Sequence, residues 1–264
     1  MTDSPKRTFS YQIMMNSRLL FCLIFLFVLF TGTAVAQFEG EISFEVTNPN
    51  QQSGQPVLMD MTFTENRIFV DSNVSMNVMA GLRAQGVLVR HDEQDFVVIT
   101  NEDEGLQVAK SDLESLVNLM NQMRGQQQNI ATDPFPWEER LVETGKEQRI
   151  HGYNTQQFIV KGETDNEYVS VWLTNEINVD WGLLSDAWYA IGSKQLDREV
   201  PIEVVMNNQS FPLLVESFVN EQVVFKAESV SIDEDTFDRT KTTLSPALKL
   251  IGLTELMMNM FRQN

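Results

Sequence analysis

From Phe38 the chain alternates: Phe38, Gly40, Ile42, Phe44 and Val46 fall on one side, and Glu39, Glu41, Ser43 and Glu45 on the other. A period of two places these sets on opposite faces of a strand, one buried and one wet. Val57 to Phe63 and Arg67 to Val70 repeat the pattern around Glu65-Asn66, a break that predicts a hairpin turn. Val87-Leu88-Val89 and Phe96 to Thr100 flank the polar tip Asp92-Glu93-Gln94-Asp95, and Gly105 to Ala109 follows Asn101 to Glu104. Short strands joined by polar tips predict an antiparallel meander.

At Ser111 the period changes. Leu113, Leu116, Val117, Met120 and Met123 recur at helical steps, and Ser111 with Glu114 forms a capping box, so a helix is predicted that stops near Gly125. Gln126 to Asn129 and the prolines of Asp133-Pro134-Phe135-Pro136 predict a loop. Strands resume at Arg140 to Lys146, Thr155 to Lys161 and Glu167 to Thr174. In the last of these, Tyr168, Ser170, Trp172 and Thr174 share one face and Val169, Val171 and Leu173 the other, so both faces carry apolar mass. Trp181 to Ile191 reads as a helix with Leu184, Trp188 and Ile191 on one stripe. Leu213 to Val219 and Gln222 to Ile232 read as a hairpin turning at Asn220-Glu221. Ser245-Pro246 resembles a cap followed by a first-turn proline, which predicts a C-terminal helix over 245–262.

Upstream of the strands, Leu19 to Phe30 is continuously apolar, flanked by Lys6, Arg7 and Arg18 and followed by Ala34-Val35-Ala36. These are the three parts of a secretory signal peptide, with cleavage expected after Ala36. The apolar run is too short for a membrane span, which needs about 20 residues. Cys22 follows Phe21 inside that run rather than a small residue at its end, so lipidation there is not expected. The predicted mature protein, residues 37–264, is a single thiol-free domain with no stable membrane span. The net charge of the whole chain is −18, and losing the basic leader makes the mature part more acidic still. That sign argues against nucleic acid and anionic membrane surfaces as partners.

The segment Thr144 to Ile177 carries Thr144, Gly145, Ile150, Gly152, Tyr153 and Trp172 in a T-G-x-x-x-x-I-x-G-Y core followed by a tryptophan-centred strand. It resembles a family of exported bacterial proteins whose shared domain has no assigned function. Phe38-Glu39-Gly40 and Glu228 to Ile232 also look like that family. Members often carry a cysteine shortly after the Gly-Tyr pair, where this chain has Asn154 and Thr155. The resemblance implies the architecture of the periplasmic lipoprotein carriers: a curved antiparallel half-barrel of about eleven strands covered by helices, a shape that strand twist favours independently. It also implies a location in the periplasm, or outside the cell, of a Gram-negative-type bacterium.

No catalytic constellation is evident. His91 and His151 are the only histidines, each beside a predicted turn, and there is no nucleophile elbow, zinc-binding helix motif or phosphate-cradling glycine loop. The acids Asp92-Glu93-Asp95, Glu102-Asp103-Glu104 and Asp233-Glu234-Asp235-Asp238 read as solvated turns. The third is the best placed for calcium but lacks the glycine and spacing of a calcium loop. No enzyme activity, cofactor or metal is expected. Methionine is flexible and polarizable, and suits surfaces that fit varied apolar ligands. Met76, Met79, Met120, Met123 and Met257, with Trp172, Trp181, Trp188 and Phe261, are therefore the expected lining of an apolar cavity. The expected function is a non-catalytic exported binding protein that shelters a lipid, an acyl chain, another hydrophobic small molecule or a lipidated peptide. The alternative is an envelope structural or protein-interaction domain with a filled core.

Overall fold

A computed structural model describes residues 37–48, 55–79, 82–112, 115, 137–162, 164–184 and 210–262. The predicted leader 1–36, the predicted helix from Leu113 to Met123, and most of the predicted helix beyond Leu184 lie outside the described residues. The alternation at Phe38 to Val46 forms β1 (Gly40–Thr47). Next come β2 (Val57–Thr64), β3 (Arg67–Met79), β4 (Leu82–Arg90), β5 (Asp95–Ile99) and β6 (Glu104–Ala109). A short helix, α1 (Trp137–Arg140), leads into β7 (Leu141–Ile150), β8 (Tyr153–Lys161), β9 (Glu167–Thr174), β10 (Phe211–Val219) and β11 (Gln222–Asp233). The chain closes with β12 (Lys249–Gly252) and α2 (Leu253–Arg262).

These form one 12-stranded sheet in the order β12-β6-β5-β4-β3-β2-β1-β11-β10-β9-β8-β7. Two meanders, β1 to β6 and β7 to β11, are joined where β1 pairs antiparallel with β11. Every pairing is antiparallel except that of β12 with β6. The sheet is open, because β12 and β7 stand at opposite edges. It is mainly β and half-barrel-like, as expected, but has one more strand than the eleven predicted.

That strand corrects the predicted helix over 245–262. Leu248 donates its amide to the Ser245 carbonyl at 3.0 Å, closing a β-turn with Pro246 at its second position. Lys249 then donates to the Asp103 carbonyl at 2.8 Å, and Ile251 aligns with Leu106. Proline's fixed φ serves a tight turn as well as a first helical turn, and the free edge of β6 decides between them. Only from Leu253 does the helix run. The helical cover is also smaller than expected: among the described residues only α1 and α2 are α-helices of four residues or more.

One face of the sheet is the core. Ile42, Phe44, Phe63, Ile68, Val89, Phe96, Val98, Leu106, Val108, Phe211, Leu213 and Ile251 form a buried cluster on it. Gly40 belongs to this alternation because the Phe38 ring lies where a Cβ would be, 2.7 Å from the ideal position. Part of the reverse face of the first meander is buried too, which the sequence did not suggest. Between β11 and β12 the chain crosses this face as a strap. Arg67 donates to the Thr242 carbonyl at 3.1 Å, Lys241 meets Glu41 at 2.6 Å, and Arg239 pairs with Glu39. Beneath and beside the strap, Leu88 and Val97 are fully buried, and Arg90 grips Asp95 at 2.7 and 2.5 Å with Gln107 donating to the same carboxylate.

Candidate functional site

The core face differs along its length. At the end where β1, β10 and the β7–β8 turn meet, aromatic rings close on one another. Phe38 and Phe63 lie 5.6 Å apart edge to face, Phe63 and Phe211 likewise at 5.6 Å, and Trp181 stacks on Phe211 at 5.7 Å. Such pairs add about 0.5–1.5 kcal/mol each beyond the area they bury. Trp181 arrives on the segment after β9, whose Ile177, Val179 and Leu183 are also buried. Its indole Nε1 donates to the Ser210 carbonyl at 3.3 Å. This end is a filled core.

Toward the other end the same face is rich in valine. Val160, Val169, Val171 and Val215 form a second buried cluster with Leu173. Leu141, Phe158, Phe225 and Ala227 pack against it half-buried, whereas Val46, Met59 and Val70 pack half-buried against the first cluster. Trp181 touches both clusters. Beside the second cluster lies a pocket of about 270 Å³ lined by Glu147, Asn154, Thr155, Gln156, Phe158, Leu173, Asn175 and Ser210. Phe158 and Leu173 supply its apolar wall, while Glu147, Gln156 and Asn175 are exposed polar groups.

The residues predicted to line a cavity do not gather as one group. Trp181 lies at the junction of the two clusters. Trp172 is half-buried on the reverse face, since its neighbours Val171 and Leu173 point into the core. Met76 is half-buried in β3 opposite Ala84, and Met79 pairs with Leu82 at the end of that strand. Met257 and Phe261 are on α2. Met120, Met123 and Trp188 lie outside the described residues. The pocket's polar residues were missed because each sits in an ordinary strand or turn, and only cross-strand register unites them. Glu147 faces Gln156, and Gln156 faces Leu173.

The residues of the Thr144 to Trp172 motif have structural roles in this region. The Thr144 hydroxyl donates to the Gln157 carbonyl at 3.0 Å and accepts from the Lys146 amide at 3.2 Å, while Gly145 takes a φ of 70°. This is a bulge in β7, where the register breaks between Glu143 and Glu147. His151 and Gly152, with φ of 49° and 91°, make the tight turn into β8, a geometry that glycine adopts without strain. The Tyr153 hydroxyl bonds Glu234, and burial followed by that carboxylate pushes the phenol up out of its ordinary range.

The histidines do not form a catalytic pair. The His151 Nε2 bonds the Ser229 carbonyl at 2.7 Å. His91 is 9% exposed, with its Nδ1 3.8 Å from Asp180, and its Nε2 has no partner among the described residues. In the acidic run after β11, Asp233 accepts the amides of Asp235 and Thr236, and Asp238 that of Thr240. Those bonds hold both carboxyls below the ordinary aspartate value, the threonine hydroxyls contributing most. Among the described residues no three metal-ligating side chains converge, and no helix is long and apolar enough to cross a membrane.

No family model matches this chain. No curated protein matches it either. A solved structure of PNGF-II in a C2 crystal form is similar with a TM-score of 0.42 and 11% identity, over 83% of this chain and 32% of that one. The same protein in a P21 form gives 0.39 and 12%, over 84% of this chain and 33% of that one. This chain therefore spans about a third of the protein it is similar to, and a likeness at this level carries neither a fold assignment nor a function.

Proposed function

We propose that this is an exported, non-catalytic binding protein that shelters an apolar chain, from a lipid or a lipidated peptide, on the valine-rich part of its core face. The observation that carries this reading is the split of that face. Aromatic packing closes one end, while Leu141, Phe158, Phe225 and Ala227 stay only half-buried beside the buried valines of the other. Helices held over a half-barrel would leave an apolar space for a ligand. The signal-like leader supplies the expectation of export.

Native mass spectrometry of protein expressed with its leader tests the reading. A reproducible bound mass of lipid or acyl type is expected, and a protein that is ligand-free in every preparation would contradict it.

A second reading, an envelope interaction domain with a filled core, draws on the aromatic chain from Phe38 to Trp181. The two are separated by pull-down from envelope extracts before and after delipidation, since a protein partner survives delipidation and a sheltered lipid does not.

A further inference from the structure

Resting on that proposed function, we infer that the pocket beside the valine-rich cluster is the headgroup subsite of the same ligand, and that it takes a primary ammonium group on an apolar chain. Phe158 and Leu173 line the pocket and also pack in the valine-rich cluster, so a chain anchored here has the half-buried apolar margin of that cluster, Leu141, Phe225 and Ala227, on the same face. The volume of about 270 Å³ lies just below the range of about 300–1,000 Å³ that drug-sized ligands occupy, and fits a compact headgroup with the first carbons of its chain.

The polar lining decides the sign of the headgroup. Among the described residues, no lysine, arginine or histidine lines the pocket, and the acidic side chain that does is Glu147, which forms no salt bridge among them. Asn154 donates its side-chain amide to the Glu176 carboxylate at 2.6 Å, which leaves its carbonyl oxygen as the group available to a ligand. Thr155 already donates its hydroxyl to the Gln148 carbonyl at 2.9 Å. Gln156 and Asn175 add amide oxygens at the exposed rim. A carboxylate with surrounding amide oxygens matches an ammonium group, which has three donors and no acceptor. A phosphate or carboxylate headgroup would enter without a cation to pair with, inside a chain of net charge −18.

Ligand-detected NMR with octylamine, octanol and octanoate at pH 7 tests this, since the amine and the acid are then fully charged. Octylamine is expected to bind about fivefold more tightly than octanoate, the scale of a partly exposed ion pair. Glu147→Gln should bring that preference below about twofold, whereas Glu102→Gln, an exposed acid in the β5–β6 turn, should leave it intact. Octanoate binding as well as octylamine, or a preference that survives Glu147→Gln, would overturn the inference. Octanol binding separates the two levels: if octanol binds and the amine has no advantage, only the headgroup assignment falls. If none of the three binds, the sheltering function falls with it.

Discussion

The two ends of the core face use the same strands and opposite packing. At one end Phe38, Phe63, Phe211 and Trp181 interlock, and the segment after β9 seals them with Ile177, Val179 and Leu183. At the other, Val160, Val169, Val171 and Val215 are buried, and Leu141, Phe158, Phe225 and Ala227 beside them remain half-buried. Aromatic rings fill volume and fix geometry, whereas β-branched side chains give a stiff, smooth apolar wall with little to interlock. The two ends of one sheet are therefore packed in different ways.

Phe211→Ala should break the contrast most severely. It removes the ring shared by Phe44, Phe63 and Trp181 and should cost about 3–5 kcal/mol in chemical denaturation. Val171→Ala, at the opposite end, deletes two methyl groups from a fully buried position and should cost about 1–2 kcal/mol. Equal losses at the two sites would mean the ends are packed alike.

A gain is expected at the β10–β11 turn. Asn220 and Glu221 both have positive φ, 51° and 64°, and a side chain such as glutamate is strained there. Glu221→Gly should raise stability by about 1 kcal/mol without touching either end of the core.

The smallest effect is a pH dependence on the reverse face. Burial raises the Asp71 carboxyl above 3.8 more than Lys241 lowers it, and Asp60 and Glu41 add to the rise. The folded protein thus holds this proton more tightly than the unfolded chain does. The stability it contributes is present below the unfolded value and is lost as pH rises through the folded one. Asp71→Asn should gain relative to the wild type as melting experiments move from acid toward neutral pH, and a constant difference across that range would contradict this.

Much of this architecture is legible in the sequence where local and tertiary signals agree. The β9 range is read directly because its apolar pattern ends at turn residues on both sides, and Asn220-Glu221 marks the β10–β11 hairpin. The full length of β3 is not legible, because Asp71, Ser72 and Asn73 look like a loop, and the strand is extended by the pairing of Ser72 with Met59 of β2 and of Met76 to Met79 with β4. β12 was hidden for a related reason. Leu248, Ile251 and Leu256 have helical spacing, and only the waiting edge of β6 makes Lys249 to Gly252 a strand. The candidate pocket is the least legible part. Glu147, Gln156 and Leu173 come from three strands, and registers broken by the Thr144-Gly145 bulge cannot be counted from turns alone.

The central claim is that the valine-rich end receives the apolar chain. Ala227 is half-buried there, facing Val46 and Val215 across its two neighbouring strands. Ala227→Phe fills that surface, and Ala247→Phe, on the exposed strap, is its control. Titration with a fluorescent long-chain alkyl probe should show saturable binding in the wild type and in Ala247→Phe, weakened at least tenfold in Ala227→Phe, a loss of about 1.4 kcal/mol. Unchanged affinity in a folded Ala227→Phe protein would place the chain elsewhere and contradict the account.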